Sequence, residues 1–208
     1  MLMELLEPKK LDFAETLKDA LTIGVKNAPS IIAAVALWLV TLWIPYLNVG
    51  TTIAITLLPV ELAKGNVINP LGIFDSKYRR CMGEYLLTTA LLVMGVYAAM
   101  IFLLIPGIVL ALSWSLAYYY LLEKEMTPFE ALRASNTATY GNKWTMFFIN
   151  LVFGIATMLA TIILGALCAP LDIDAITFVA MLALAVLIAS ISMALKASFW
   201  RQLKDNAA

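Results

Sequence analysis

The sequence contains no histidine and only two cysteines among its 208 residues. Histidine titrates near neutral pH and is a frequent ligand of zinc and haem, so its absence removes the most usual acid–base catalyst and metal ligand. Cys81 and Cys168 fall on opposite membrane faces in the topology predicted below, which excludes a disulfide or a thiolate metal cluster. We therefore expect no metal ion and no cofactor.

Charge is also scarce, because 13% of the residues are charged and 62% are hydrophobic. Soluble domains carry roughly 25% charged residues, so this composition is typical of a membrane protein. The apolar residues form six runs, each near the length at which a helix crosses about 30 Å of hydrocarbon. These runs are 29–46, 48–63, 85–105, 107–122, 144–169 and 175–197.

The basic residues lie on one side of the predicted spans. The links after the first, third and fifth runs contain no Lys or Arg, so all fourteen basic residues lie at the other ends. The positive-inside rule places those ends, and both termini, in the cytoplasm. The opening "MLMELLEPKK" has acidic residues and no apolar core, so we expect no cleavable signal peptide.

An internal repeat organises the chain. The segment "NPLGIFDSKYRRCMGEYLL" from Asn69 aligns with "TPFEALRASNTATYGNKWTMF" from Thr127, and "DFAETLKDALTIGVKN" from Asp12 is a weaker third copy. Each copy begins with helix-start chemistry, namely an N-cap residue followed by a proline or by a capping-box glutamate. Charged residues fall away from the apolar stripe in the first two copies, which favours helices lying in the membrane interface over solvated loops.

These patterns predict an all-α integral membrane protein with six transmembrane helices arranged as three tandem hairpins. Each hairpin is preceded by a cytoplasmic interfacial amphipathic helix. We expect one membrane domain over residues 1–208, with repeat units at about 11–63, 69–123 and 127–198 and a short cytoplasmic tail at 199–208. Because each unit crosses the membrane twice, a pseudo-threefold bundle around the membrane normal is the simplest arrangement.

Residues 105–144 resemble the YciC-like bacterial membrane proteins and the related membrane domain found beside some glycerophosphodiester phosphodiesterases. The matching features are a Pro-Gly hairpin, the "EALRAS" helix and a Gly-Asn-x-Trp entry into the next span. The resemblance implies a helical membrane fold and a place in the bacterial cytoplasmic (inner) membrane as a multi-pass protein. It implies no catalytic residue, because the phosphodiesterase activity belongs to a separate domain.

Ionisable residues are absent from the centres of the predicted spans. Intramembrane charges usually mark ion or proton paths, so a proton-coupled carrier is disfavoured. Glu61 comes nearest, and we interpret it as an interfacial acid paired with Lys64. Asp172 and Asp174 fall at an outer turn rather than at depth, which leaves no paired acids for catalysis, and we expect that the chain is not an enzyme.

Small and hydroxyl residues recur at helical spacing in the later spans. Such residues usually allow close helix packing, although they also line polar pathways. Asn150 is the most informative, because an amide about two turns into a span needs a partner or water. The candidates for a pathway or for polar packing are Asn150, Thr157, Thr161 and Ser115.

A second set of candidates lies at the predicted cytoplasmic interface. The "SKYRR" patch supplies cations, and clustered aromatic residues are typical of a belt at the headgroup level. The candidates for contact with lipid headgroups are Lys77, Arg79, Arg80, Tyr118, Tyr119, Tyr120 and Trp144.

Two functions fit the sequence. One is a transporter or channel for a small solute, with the hydroxyl residues lining the path. The other is a membrane organiser without transport activity, which binds lipids or proteins through its interfacial helices. Membrane lipids are the expected partners, and no nucleic acid is expected. The runs at 48–63 and 107–122 are short for a bilayer, which favours a homo-oligomer.

Overall fold

A computed structural model describes residues 9–66, 68–168 and 174–207. Throughout these ranges the regular structure is helical. The α-helices are α1 (Phe13–Thr41), α2 (Pro45–Ala63), α3 (Lys77–Arg80), α4 (Met82–Phe102), α5 (Leu104–Ser113), α6 (Ala117–Glu123), α7 (Pro128–Thr139), α8 (Lys143–Cys168) and α9 (Asp174–Leu203). Short 3₁₀ helices occupy Pro70–Phe74 and Lys204–Ala207.

Six helical segments in the described ranges are long and apolar enough to cross a membrane. They are α1, α2, α4, the combined Leu104–Glu123 segment, α8 and the Thr177–Ala207 segment. The predicted all-α fold with six long apolar helices is therefore confirmed. Asp172 lies outside the described residues, and Asp174 begins α9.

Two of the hairpin turns are tight. Pro45 occupies the first turn of α2, where its missing N–H has no intrahelical partner to lose. Leu103 alone separates α4 from α5, with an extended backbone at φ −156° and ψ 131°. A single extended residue is enough to reverse the chain here, and it brings α4 and α5 side by side.

The packing is uneven among the helices. α1 lies along α9, and α2 contacts both of them. In an 18-residue apolar stretch of each helix, half of the residues of α2 are buried, compared with 11% for α4 and 6% for α8. The three hairpins are therefore not packed equivalently. Few residues of α4 and α8 are fully buried, as expected of helices that face hydrocarbon on one side.

The first predicted interfacial helix is not separate from the first span, which corrects the sequence interpretation. α1 runs without a break from Phe13 through Pro29 to Thr41. A proline inside a helix removes one hydrogen bond and costs about 3 kcal/mol, but it does not always end the helix. Here α9 packs along α1 and holds it continuous.

The second predicted interfacial segment is also not a single helix. Its 3₁₀ piece and α3 are separated at Asp75 and Ser76. Ile73 is its buried residue, whereas Leu71, which α-helical spacing would place on one face with Phe74 and Tyr78, is 67% exposed. The difference arises because a 3₁₀ helix has three residues per turn, so the face expected from α-helical spacing is rotated.

The third predicted interfacial segment forms a helix of its own, α7. The carboxylate of Glu130 accepts hydrogen bonds from the backbone N–H and the hydroxyl of Thr127, at 3.0 and 2.7 Å. The other predicted caps are also present. Asp12 Oδ1 accepts from the Glu15 N–H at 2.7 Å, and Asn69 Oδ1 accepts from the Leu71 N–H at 3.1 Å. The helix starts predicted from the sequence are confirmed.

Candidate functional site

The four polar candidates in the spans each donate a hydrogen bond to the backbone of the same segment. Asn150 Nδ2 donates to the Met146 carbonyl at 2.7 Å, and Ser115 Oγ donates to the Leu112 carbonyl at 2.8 Å. Such bonds to a preceding carbonyl satisfy a polar side chain without a partner on another helix. Thr157 and Thr161 do the same, to Gly154 at 2.9 Å and to Thr157 at 2.8 Å.

Two of these four candidates share a cleft. Asn150 and Ser115 line a space of about 310 Å³ between α4, α5, α8 and α9, and Lys196 lines it as well. Thr157 and Thr161 are not among its lining residues. The structure therefore does not join the predicted candidates into one polar stripe.

Glu61 is paired as predicted. Lys64 Nζ lies 3.1 Å from Glu61 Oε1 and 2.8 Å from Glu123 Oε1, so it joins the ends of α2 and α6. Partial burial opposes the charged form of Lys64, but the hydrogen bonds to Glu123 and Glu61 outweigh it, and the pKa of Lys64 is raised.

The basic patch is only partly exposed. Lys77 and Arg80 are exposed, and Lys77 Nζ lies 3.7 Å from Asp75 Oδ2 and 4.9 Å above the ring of Tyr78. Arg79 instead lays its aliphatic stem against α2. A Cβ placed on Gly50 would lie 2.8 Å from Arg79 Cγ, which shows how closely the two approach.

The predicted aromatic belt is only partly at the surface. Tyr119 and Tyr120 are 4% and 1% exposed, and their rings meet the edge of Trp200 with centroids 5.6 and 4.9 Å apart. These two tyrosines therefore lie in the core, which corrects their predicted surface position. The reason is that α6 is covered by α7 and by the end of α9.

The remaining members of the belt differ from each other. Tyr118 is half-buried and donates to Thr89 Oγ1 at 3.0 Å. Trp144, at the start of α8, is 73% exposed. It stacks on Phe148 with ring centroids 6.1 Å apart, so an exposed aromatic group remains where α8 begins.

Two apolar clefts border the Leu104–Glu123 segment. Cleft A, of about 580 Å³, lies between α4 and α7 beside Trp114, and cleft B, of about 530 Å³, lies between α5 and the start of α8. Leu91, Met94, Phe129 and Leu132 line cleft A, and Ile105, Ile108, Val109 and Leu112 line cleft B.

The polar residues of the two clefts meet. Arg133 and Asn136 line cleft A, and Lys143 lines cleft B. Lys143 Nζ donates to Asn136 Oδ1 at 3.0 Å, which joins the two clefts at one point. Within the described ranges neither Arg133 nor Lys143 forms a salt bridge, so both positive charges are available to an anion.

α7 positions this arrangement because it is anchored at a break in the neighbouring span. The Ser135 hydroxyl donates to the Ser113 carbonyl at 2.7 Å and accepts from the Leu116 N–H at 3.1 Å. These are backbone groups at the interruption between α5 and α6, and burial without a partner would be costly. One hydroxyl therefore satisfies both sides of the break and fixes α7 against it.

The Gly-Asn-x-Trp motif has a structural role at the other end of α7. Gly141 has φ +78°, a left-handed conformation that glycine adopts without strain. Asn142, which is 3% exposed, accepts from the Leu11 N–H at 2.8 Å and donates to the Lys9 carbonyl at 3.2 Å. The motif thus ties the start of α8 to the segment that precedes α1.

The sequence contains part of this site. Arg133 and Lys143 are recognisable as basic residues beside spans, but nothing in the spacing of the chain shows that two clefts meet between them. That relation depends on which helices become neighbours.

No protein-family model, curated protein or solved structure matches the chain, so the YciC-like resemblance stays a prediction.

Proposed function

We propose that this chain is a non-catalytic, multi-pass membrane protein that binds and organises lipid at its cytoplasmic surface. One observation carries the proposal: α7 and the start of α8 present exposed aromatic residues and unpaired cations beside apolar clefts. Phe129, Tyr140 and Trp144 are 68%, 70% and 73% exposed. Aromatic rings and cations at a helix surface are suited to the headgroup level of a bilayer.

The placement of the span hydroxyls supports the same proposal. Each candidate hydroxyl donates a hydrogen bond within its own segment, and α8, which carries Thr157 and Thr161, has few buried residues. Small residues and self-satisfied hydroxyls on such a helix suit contact with lipid or with a second copy of the chain. We therefore also propose that the chain forms the homo-oligomer predicted from its sequence.

Retention of lipid tests the proposed function. The protein is purified in a mild detergent, offered equal amounts of phosphatidylglycerol and phosphatidylcholine, and analysed by native mass spectrometry. We expect discrete lipid adducts with a preference for the anionic lipid, and the same spectrum gives the oligomeric state. Absence of adducts with either lipid, on a protein that remains folded, would contradict the proposal.

Transport is the second candidate, and the cleft lined by Asn150, Ser115 and Lys196 favours it. A lysine beside an amide and a hydroxyl is suited to a small anion. Flux of anions, cations and neutral solutes from liposomes tests it, with Asn150→Leu and empty liposomes alongside. Selective release that Asn150→Leu changes would support transport, and release at the level of empty liposomes would contradict it.

A further inference from the structure

We propose that one anionic phospholipid places an acyl chain in each of clefts A and B, with its phosphate held between Arg133 and Lys143. The proposal rests on the proposed lipid-binding function and specifies the site. The site requires three features: two apolar clefts, positively charged side chains between them, and access from the membrane.

Both clefts border the Leu104–Glu123 segment. Cleft A is next to Trp114, which follows α5, and cleft B uses Ile105, Ile108 and Leu112, whose spacing of three and four residues places them on one face of α5. A diacyl lipid has two chains that diverge from one headgroup, and two separate clefts can each take one chain. A single-chain amphiphile would fill only one of them.

The two cations lie where clefts A and B meet. Arg133 is exposed and lines cleft A, and Lys143 is half-buried and lines cleft B. Asn136 Oδ1 accepts from Lys143 Nζ at 3.0 Å and lines cleft A, so the ammonium of Lys143 reaches the cleft that Arg133 also lines. A guanidinium can bind a phosphate through two parallel hydrogen bonds, and an ammonium adds a point charge.

The lining residues show no competing negative charge. Among the described residues that line clefts A and B, none is acidic. The neighbouring Glu130 does not line either cleft, and its carboxylate, although charged, accepts hydrogen bonds from the backbone N–H and hydroxyl of Thr127. Charge complementarity therefore selects an anionic headgroup for this surface over a zwitterionic one.

Exposed aromatic residues stand beside both openings. Phe129 lines cleft A, and Tyr140 and Trp144 line cleft B. All three are more than two-thirds exposed. A chain entering from the bilayer would pass these rings, which are suited to the boundary between headgroups and hydrocarbon.

The test compares two doubly neutralised variants with the same change in charge. Arg133→Gln with Lys143→Gln removes the proposed phosphate contacts, and Lys77→Gln with Arg80→Gln removes two exposed cations of the basic patch. Native mass spectrometry with phosphatidylglycerol and phosphatidylcholine measures binding by each. We expect the first variant to lose affinity for phosphatidylglycerol by about tenfold or more, because hydrogen bonds to charged groups are the strong ones, and the second to resemble the wild type.

A third variant, Val109→Phe, narrows cleft B without changing charge. We expect it to weaken both lipids while keeping the preference for the anionic one. Thermal unfolding of each variant confirms that it remains folded, and wild-type affinity for phosphatidylglycerol in Val109→Phe would overturn the use of cleft B.

The outcomes separate the site from the function. Wild-type protein that binds neither lipid would overturn the proposed function itself. Wild-type protein that prefers phosphatidylglycerol, with an unchanged preference after Arg133→Gln and Lys143→Gln, would overturn this site and leave the function standing. Loss of phosphatidylglycerol binding in the Lys77→Gln, Arg80→Gln variant alone would overturn this site and place the binding of the lipid at the basic patch.

Discussion

Gly24 of α1 lies directly against the backbone of Ile191 in α9. A Cβ added to Gly24 would come within 2.8 Å of Ile191 Cα, closer than such atoms pack. Beside this contact, Ser190 Oγ donates to the Gly24 carbonyl at 2.6 Å. Small residues let two membrane helices approach closely, and a hydroxyl then bonds across the gap. This crossing sets the distance between the first and last long helices.

Gly24→Ala should therefore destabilise the protein. The added methyl group must push α9 away or shift α1, and overpacking of this kind costs about 1–3 kcal/mol. The measurement is unfolding in detergent, by heat or denaturant. Gly154→Ala is the matched control, because nothing lies within 4 Å of a Cβ at that position.

The control should be neutral or slightly stabilising, since replacing a helical glycine by alanine typically gains about 0.5–1 kcal/mol. Equal stability of the two variants would show that α1 and α9 are not in contact at Gly24.

Ser135→Ala tests the anchoring of α7 to the break between α5 and α6. The change leaves the Leu116 N–H without its partner and removes the donor at 2.7 Å from the Ser113 carbonyl. An unsatisfied buried group costs about 1–3 kcal/mol. We expect a loss of stability in that range, together with faster hydrogen exchange at Leu116.

Thr137→Ala is the control for this variant. Its hydroxyl is exposed and bonds the Arg133 carbonyl of its own helix at 3.1 Å, so its removal should change stability little. If both variants unfold alike and Leu116 exchanges at the wild-type rate, Ser135 does not hold the break.

The sequence predicts the helices of this protein better than their neighbours. The apolar runs and the caps at Asp12, Asn69 and Thr127 are local features, and each is present in the structure. Tyr119 and Tyr120 show where local evidence ends. Their spacing and type are the same for a membrane belt and for a core, and only the approach of Trp200 decides between the two.

The candidate site has the same limit. Arg133 and Lys143 are ten positions apart in sequence, and no periodicity links them. α7 ends at Thr139, and the turn that follows, with Gly141 in a left-handed conformation, brings Lys143 back to Asn136 on α7, three residues after Arg133. A repeat aligned by its glycines predicts a turn at that position, but not which side chains face each other across it.

Asn142→Ala should release the segment before α1. The amide of Asn142 accepts from the Leu11 N–H at 2.8 Å and donates to the Lys9 carbonyl at 3.2 Å. Asn206 also bonds Lys9, accepting from its N–H at 2.8 Å and donating to its carbonyl at 3.0 Å. We expect faster hydrogen exchange at Leu11 and faster proteolysis at Lys9 and Lys10, with stability lowered by about 1–3 kcal/mol.

Asn66→Ala is a suitable comparison, because that amide is exposed and bonds Glu61 at 3.0 Å. It should leave proteolysis at Lys9 and Lys10 unchanged. Wild-type protection of Leu11 in Asn142→Ala would mean that Asn206 alone is sufficient to hold the segment.

Labelling of Cys81 tests the predicted orientation in the membrane. Cys81 is half-buried at the junction of α3 and α4, next to the basic patch that should face the cytoplasm. In a Cys168→Ser background, a membrane-impermeant maleimide should label it in inverted vesicles and not in intact spheroplasts. Labelling of intact spheroplasts would reverse the orientation.

The pH dependence of that labelling follows from the surroundings of Cys81. Burial, and then the charge of Glu84, raise the pKa of the thiol, so the reactive thiolate is scarce at neutral pH. The rate should rise about tenfold per pH unit while the pH stays below that pKa. Glu84→Gln removes one negative charge and should lower the pKa, which increases the rate at a fixed pH. A labelling rate that is insensitive to both pH and Glu84→Gln would mean that access of the maleimide, rather than ionisation of the thiol, limits the reaction. The labelling would then report only which side of the membrane Cys81 faces.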